Sequence, residues 1–165
     1  MPDFNGLKIR HHLIPGDLGK VASLHGKIYA EEYDLAIGFE AYVMECLLEF
    51  FTQFDEKKDR VWVLEEEDGR MVGFLVLMHR QEQMAQLRFL LLEKSYRRKG
   101  IGNQLIEDWL SFYSKMDYKG AYLYTTSGQD PAKSLYEKYG FKPESTIHSK
   151  YYGIPLLETL FRLKR

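Results

Sequence analysis

The stretch Leu87 to Leu110, LRFLLLEKSYRRKGIGNQLIEDWL, changes its apolar period halfway, and that change decides the fold class. Leu87, Phe89, Leu90, Leu91 and Leu92 form an apolar run that suits a central strand buried on both faces. From Ile101 the apolar positions fall at Leu105, Trp109, Phe112 and Met116, near-helical spacing, with Asn103, Glu107 and Asp108 on other faces. Strand gives way to helix across Arg97-Arg98-Lys99-Gly100-Ile101-Gly102. Glycines in such a turn let the backbone aim successive N–H groups at one point, and the helix adds its unpaired N-terminal donors and positive dipole end. The turn is a candidate anion site, above all for phosphate.

Spacing separates three phosphate-binding readings. A dinucleotide fingerprint needs a third glycine where Leu105 stands, and a Walker A loop needs Gly-Lys followed by Ser or Thr, whereas Gly19-Lys20 and Gly26-Lys27 precede Val21 and Ile28. What remains, Arg97-x-x-Gly100-x-Gly102 after an apolar strand, resembles the pyrophosphate loop of the GCN5-related N-acetyltransferases (GNAT), which binds coenzyme A. Further on, Ala132-x-x-Leu135-Tyr136-Glu137-Lys138-x-Gly140-Phe141 resembles the helix and the start of the next strand in the same family. The likeness is specific over the C-terminal two-thirds and is one of pattern only in the N-terminal third. It implies an α/β fold with one mixed (α+β) sheet of about seven strands flanked by about four helices, in a single domain over residues 1–165.

Composition agrees with one soluble domain: 165 residues, 45% hydrophobic, 28% charged. The net charge of −1 makes the basic turn a local feature and argues against nucleic acid as a partner. The N-terminal MPDFNGLKIRHH lacks the apolar core of a signal peptide, and no segment approaches a bilayer span, so the expectation is a cytoplasmic protein without a membrane partner. Cys46 is the single cysteine; it falls on the stripe Phe39, Tyr42, Val43, Cys46, Leu47, Phe50, Phe54 and reads as a buried, inert thiol. His11 and His12 are neighbours, so on a strand they face opposite ways and cannot readily share a metal. No metal is expected.

In chain order, Leu7 to Leu13 reads as a first strand, and Asp17 as N-cap of a helix to about Ala30. Glu31-Glu32-Tyr33-Asp34 reads as a solvated helix end before a second helix, Phe39 to Phe54. Strands at Arg60 to Glu66 and Met71 to Arg80 flank the hairpin signal Asp68-Gly69, and Gln81-Glu82-Gln83 turns into the Leu87 strand. Ala121 to Thr125 reads as a fifth strand, followed by a helix capped by Asp130 with Pro131 in first position and stopped at Gly140. Phe141 to His148 and Glu158 to Arg165 complete the sheet, with a loop over Tyr151 to Leu157.

The resemblance implies acetyl transfer from acetyl-CoA, as co-substrate, to the primary amine of a small molecule or peptide. Backbone N–H groups from Arg98 to Asn103 (Arg98, Lys99, Gly100, Ile101, Gly102, Asn103) hold the pyrophosphate in that reading, and Arg97, Arg98 and Lys99 attract it. Leu90, Leu91 and Leu92 offer backbone to the pantetheine arm, as an added strand would, and an N–H near Leu92 meets the developing oxyanion. Tyr136 matches the family tyrosine that protonates the departing sulfur; without the flanking motif it reads as a core tyrosine, on one helical face with Ala132, Leu135 and Tyr139. Gln86 stands where some members carry a glutamate base, which leaves Glu82, His79, Glu40 or water as proton acceptor. The resemblance implies an acceptor pocket built from Tyr29 to Phe39 and Tyr151 to Leu157, whose shape sets an acceptor the sequence does not name. A homodimer is compatible with the reading. Two other functions fit the same fold: a non-catalytic acyl-CoA-binding or sensing module, and a protein-interaction domain using Tyr151-Tyr152.

Overall fold

The computed structural model describes residues 4–165; Met1, Pro2 and Asp3, the start of the stretch read for a signal peptide, lie outside the described residues. The elements are β1 (Lys8–Arg10), α1 (Asp17–Tyr33), α2 (Ile37–Gln53), β2 (Arg60–Glu65), β3 (Met71–Arg80), β4 (Met84–Leu92), α3 (Ile101–Lys115), β5 (Gly120–Thr126), α4 (Asp130–Lys138), β6 (Lys142–Tyr151) and β7 (Ile154–Lys164), besides two single 3₁₀ turns. The seven strands make one mixed sheet in the order β1-β2-β3-β4-β5-β7-β6. Every neighbouring pair is antiparallel except β4 with β5.

Burial follows position in the sheet. Met71 to Met78 of β3 are all buried, which is why that strand shows no alternation. β6, an edge strand, is nearly all exposed and polar, and carries Pro143 next to a register shift, where a missing N–H costs least. Two apolar layers cover the sheet. On one face α3 and α4 pack Leu105, Trp109 and Tyr136 against Leu87 and Leu123. On the other, α1 and α2 pack Val21, Phe39 and Phe50 against Phe74 and Leu91. Trp62 and Trp109 are fully buried, yet each indole N–H has an acceptor, Asp108 Oδ2 at 2.6 Å and the Val76 carbonyl at 3.2 Å, so no polar group offsets the gain from their apolar area.

Several boundaries differ from the sequence expectation, each for a local reason. The first strand shrinks from Leu7–Leu13 to Lys8–Arg10, because the Arg10 guanidinium is held between Asp17 (2.7 Å) and Glu65 (2.6 Å) and also donates to the His12 carbonyl, which folds the following chain back. Asp17 is the first helical residue, not the cap: Gly16 occupies that place, and the Asp17 carboxylate accepts from the Ile14 N–H at 2.8 Å. α1 runs on to Tyr33, so the acidic cluster lies within the helix. Asp130 likewise starts α4, with Gln129 at the cap. The Tyr151 to Leu157 loop is instead a tight hairpin between β6 and β7, turning at Tyr152 (φ 49°) and Gly153 (φ 81°), two successive left-handed residues as such turns require. No helix among the described residues is long and apolar enough to cross a membrane.

Candidate active site

The sheet opens where its two parallel strands meet. β4 and β5 pair only at Met84–Gly120, Ala85–Ala121 and Gln86–Tyr122, after which both strands continue without each other. Beyond Gln86 the edge of β4 that faces β5 has no strand partner, and a cleft of about 1100 Å³ fills the fork. A bulge sharpens it. Phe74 pairs with Leu91 and Val76 with Arg88, so Phe89 and Leu90 together face one residue of β3, and Phe89 adopts φ 56°. The expectation of a strand buried on both faces holds for Leu87 and Leu91 but not for Leu90 and Leu92, which are only partly buried because they border the cleft.

Of the cofactor-binding residues and the catalytic tyrosine singled out by sequence, all but Lys99 and Ile101 line this cleft. Gly100 is the N-cap of α3 at φ 82°, a conformation glycine adopts without strain, and a Cβ there would meet nothing within 4 Å. Gly102 is already helical; its Cβ would lie 3.5 Å from Leu135. Arg98 is exposed and left-handed at φ 60°. Arg97 crosses the cleft mouth, donating from Nη1 to both Glu32 oxygens at 2.8 Å and from Nε to the Leu92 carbonyl at 2.8 Å. Asn103 accepts from Tyr139 Oη at 3.1 Å and from Lys138. Lys99 points away, its ammonium 5.3 Å from the Tyr96 ring centre. Ile101 is fully buried under the turn and anchors it to the α3 layer.

Tyr136 stands on α4 at the junction of the two layers, 6% exposed. Among the described residues its hydroxyl makes no hydrogen bond. Burial, and then the nearby Tyr29 hydroxyl, push its pKa well above the ordinary phenol value. Tyr29 accepts from the Gln129 side-chain amide, and burial pushes its own hydroxyl up to about 12.

The opposite wall draws on the two segments that the resemblance gives to the acceptor pocket, and adds Tyr42, which sequence reading did not place there. Tyr33, Tyr29, Phe39, Tyr42 and Tyr151 form a run of ring contacts, with centroid separations of 5.0, 4.4, 6.0 and 4.2 Å in turn. Tyr29, Phe39 and Tyr42 recur at helical spacing on α1 and α2, but the sequence does not tell that the two helices meet over a fork. The three side chains considered as proton acceptors are misplaced for that task. Glu82 lies in the exposed β3–β4 turn, His79 binds Asp59 through Nδ1 at 2.7 Å, Glu40 packs on Gly26 of α1, and none lines the cleft. The groups that do line it are Glu32, Glu158 and His25. Glu32 is taken by Arg97. His25 donates Nδ1–H to the Val21 carbonyl at 2.9 Å, which leaves Nε2 bare, but burial lowers its pKa to about 4, a weak base. Glu158, 6% exposed, accepts from Ser149 Oγ at 2.7 Å. Cys46 is buried as expected, but its stripe forms part of the cleft wall.

Comparison with known proteins places the chain by similarity. The family model for the acetyltransferase (GNAT) domain matches residues 57–143. The uncharacterized N-acetyltransferase CgeE of Bacillus subtilis is 31% identical over 80 residues, 48% of this chain and 30% of that protein. N-acetyltransferase family 8 member 3 of Rattus norvegicus is 31% identical over 86 residues, 49% of this chain and 37% of that protein. The chain thus matches about a third of the length of these relatives. Among solved structures, an acetyltransferase from Streptococcus agalactiae superposes with a TM-score of 0.77 at 18% identity, covering 97% of this chain and 99% of that one. Spermidine N-acetyltransferase from Vibrio cholerae, solved with CoA and spermine, gives 0.67 at 18% identity over 97% and 96% of the two chains. These two likenesses establish the fold alone.

Proposed function

The chain belongs to the acetyltransferase (GNAT) family, and from that premise we propose that it is an N-acetyltransferase moving an acetyl group from acetyl-CoA to the primary amine of a small molecule or peptide. The observation that carries this reading is the fork: the unpartnered edge of β4, the Gly100 turn and Tyr136 line one cleft.

The residues present fit coenzyme A. The open space around Gly100 and the donors at the start of α3 suit a pyrophosphate, with Arg98 beside them. The free edge of β4 at Leu90 to Leu92 suits the amide-bearing pantetheine arm, which can pair with it as a strand would. When bound, the acetyl thioester supplies the acyl group: the amine nitrogen bonds its carbonyl carbon, the carbon–sulfur bond breaks, and an amide and a free thiol result. A backbone N–H near Leu92 hydrogen-bonds the carbonyl oxygen as charge gathers on it. Tyr136 donates its proton, or a hydrogen bond, to the departing sulfur; its raised pKa keeps it protonated throughout the neutral range. The proton lost by the amine passes to Glu158 or to water in the cleft.

Calorimetry with CoA, and thiol release from acetyl-CoA across a panel of amines, test the proposal. The expected result is saturable CoA binding, a raised melting temperature and amine-dependent thiol release. No binding at millimolar CoA would overturn it.

A further inference from the structure

The acceptor side of the cleft carries a charge arrangement that the acetyl donor does not need. Gln86 and Arg88 alternate with Ala85 and Leu87 on β4, so both face α1 and α2, away from the Gly100 turn. There Arg80 and Arg88 share one carboxylate, Glu49 of α2. Arg80 donates Nη1 to Glu49 Oε1 at 2.6 Å and Nε to Gln86 Oε1 at 2.7 Å, and Arg88 donates Nη1 to Glu49 Oε2 at 3.1 Å. Two guanidiniums against one carboxylate leave one positive charge in excess.

Arg88 is where that excess meets the cleft. Its side chain is 16% exposed, it lines the wall, and its guanidinium lies 5.0 Å from the Phe89 ring centre. Among the described residues its Nε and Nη2 donate to no oxygen; the other polar neighbours are the Cys46 sulfur, a weak acceptor, and the Tyr42 hydroxyl. A partly exposed guanidinium on the cleft wall, with Nη1 alone committed to a carboxylate, can take the oxygens of a ligand on its remaining edge. Across Tyr42, which feels the charge of both, Glu158 offers its second carboxylate oxygen, Oε1, beside the one bound by Ser149. The wall therefore presents a guanidinium edge and a carboxylate oxygen to the cleft.

We propose, resting on the N-acetyltransferase reading, that the acceptor is a primary amine that also bears a carboxylate, with Arg88 as the carboxylate receptor and Glu158 as the group that receives the ammonium. A polyamine fits this wall poorly. It would meet two arginines, and Glu32, the other acid in the cleft, is already held at both oxygens by Arg97. The planar fork of arginine suits a carboxylate in two parallel hydrogen bonds, which sets a preference for acid over amide.

Matched pairs test this: α- and ω-amino acids of increasing length, each against its carboxamide, with spermidine as the polycation. Thiol release should favour the acid of the best pair by about ten- to a hundredfold in kcat/KM over its amide. Arg88→Gln should bring that ratio close to one while CoA affinity stays unchanged. If Arg88→Gln does not fold, Arg88→Lys, which keeps the charge and loses the fork, should cut the ratio several-fold. Calorimetry of the same pairs on the CoA-loaded protein reads the preference without turnover. Acid-selective binding that Arg88→Gln abolishes, with no thiol release, would keep the carboxylate site and overturn the transferase reading. Turnover of spermidine or of amides at rates equal to the acids would keep the transferase and overturn the carboxylate site; a panel that neither binds nor reacts would overturn the carboxylate site without supporting the transferase.

Discussion

His25 gives the chain a pH dependence that can be worked from its surroundings. The imidazole is buried between the stacked Tyr29 ring at 5.8 Å and the edge-on Phe89 ring at 6.1 Å, and its Nδ1–H is spent on the Val21 carbonyl. Burial lowers its pKa from 6.5 to about 4, so the folded protein keeps it neutral in a range where an unfolded chain would protonate it. At pH 7.5 neither state binds the proton and the group contributes no linkage. As the pH falls from 6.5 towards 4 the unfolded state takes up a proton that the native state refuses, and stability is lost throughout that window. At 1.36 kcal/mol per pKa unit the full loss is about 3 kcal/mol, of which about 2.5 kcal/mol is reached by pH 4.5. Urea unfolding at pH 7.5 and pH 4.5 measures it, in the parent and in His25→Gln. Other groups titrate in both proteins and cancel in the comparison, as does any packing loss common to the two pH values. The variant should lose about 2.5 kcal/mol less than the parent between those pH values. Equal losses would refute the reasoning and mean that His25 reaches solvent or a partner once charged.

Tyr136→Phe keeps the ring in its layer and removes a hydroxyl that has no described hydrogen bond; turnover should fall by about ten- to a thousandfold with CoA affinity and stability nearly unchanged, whereas full turnover would return Tyr136 to a purely structural part. Gly100→Val forces a branched side chain into φ 82°, costing about 1–3 kcal/mol and at least about tenfold in CoA affinity; thermal melts and calorimetry check both, and unchanged CoA binding would put the phosphate site elsewhere. Asp59→Ala removes a buried carboxylate that accepts from the backbone N–H groups of Asp55 (2.8 Å) and His79 (2.6 Å); unfolding in urea should show a loss of about 2–4 kcal/mol, and a loss under about 1 kcal/mol would show that water replaces those bonds.

What was legible in the sequence was local. The change of period across Arg97 to Gly102, the Asp68-Gly69 hairpin and the stop at Gly140 each depend on residues a few positions apart, and each appears where expected. The Tyr151–Leu157 hairpin was missed because Tyr152 adopts φ 49°, which an aromatic residue rarely signals. Which side chains of β4 share a face was illegible for a deeper reason. Simple alternation along β4 would put Arg88, Leu90 and Leu92 on one face. The bulge at Phe89 and Leu90 reverses the phase, so Leu90 and Leu92 join Leu87 on the α3 side while Phe89 and Leu91 turn to α1 and α2, the side Arg88 faces. One extra residue thus divides a leucine-rich strand into a face turned to α3 and a face turned to α1 and α2. Arg88, just before the bulge, meets Glu49, which Arg80 also binds, partners from other elements of the chain. The bulge lies beside the fork between β4 and β5, and a fork is a property of the sheet that no window along the chain contains. Under the proposed function, the sequence signal to examine for acceptor recognition in this chain is the charged residue that interrupts the apolar run before the Gly100 turn, Arg88.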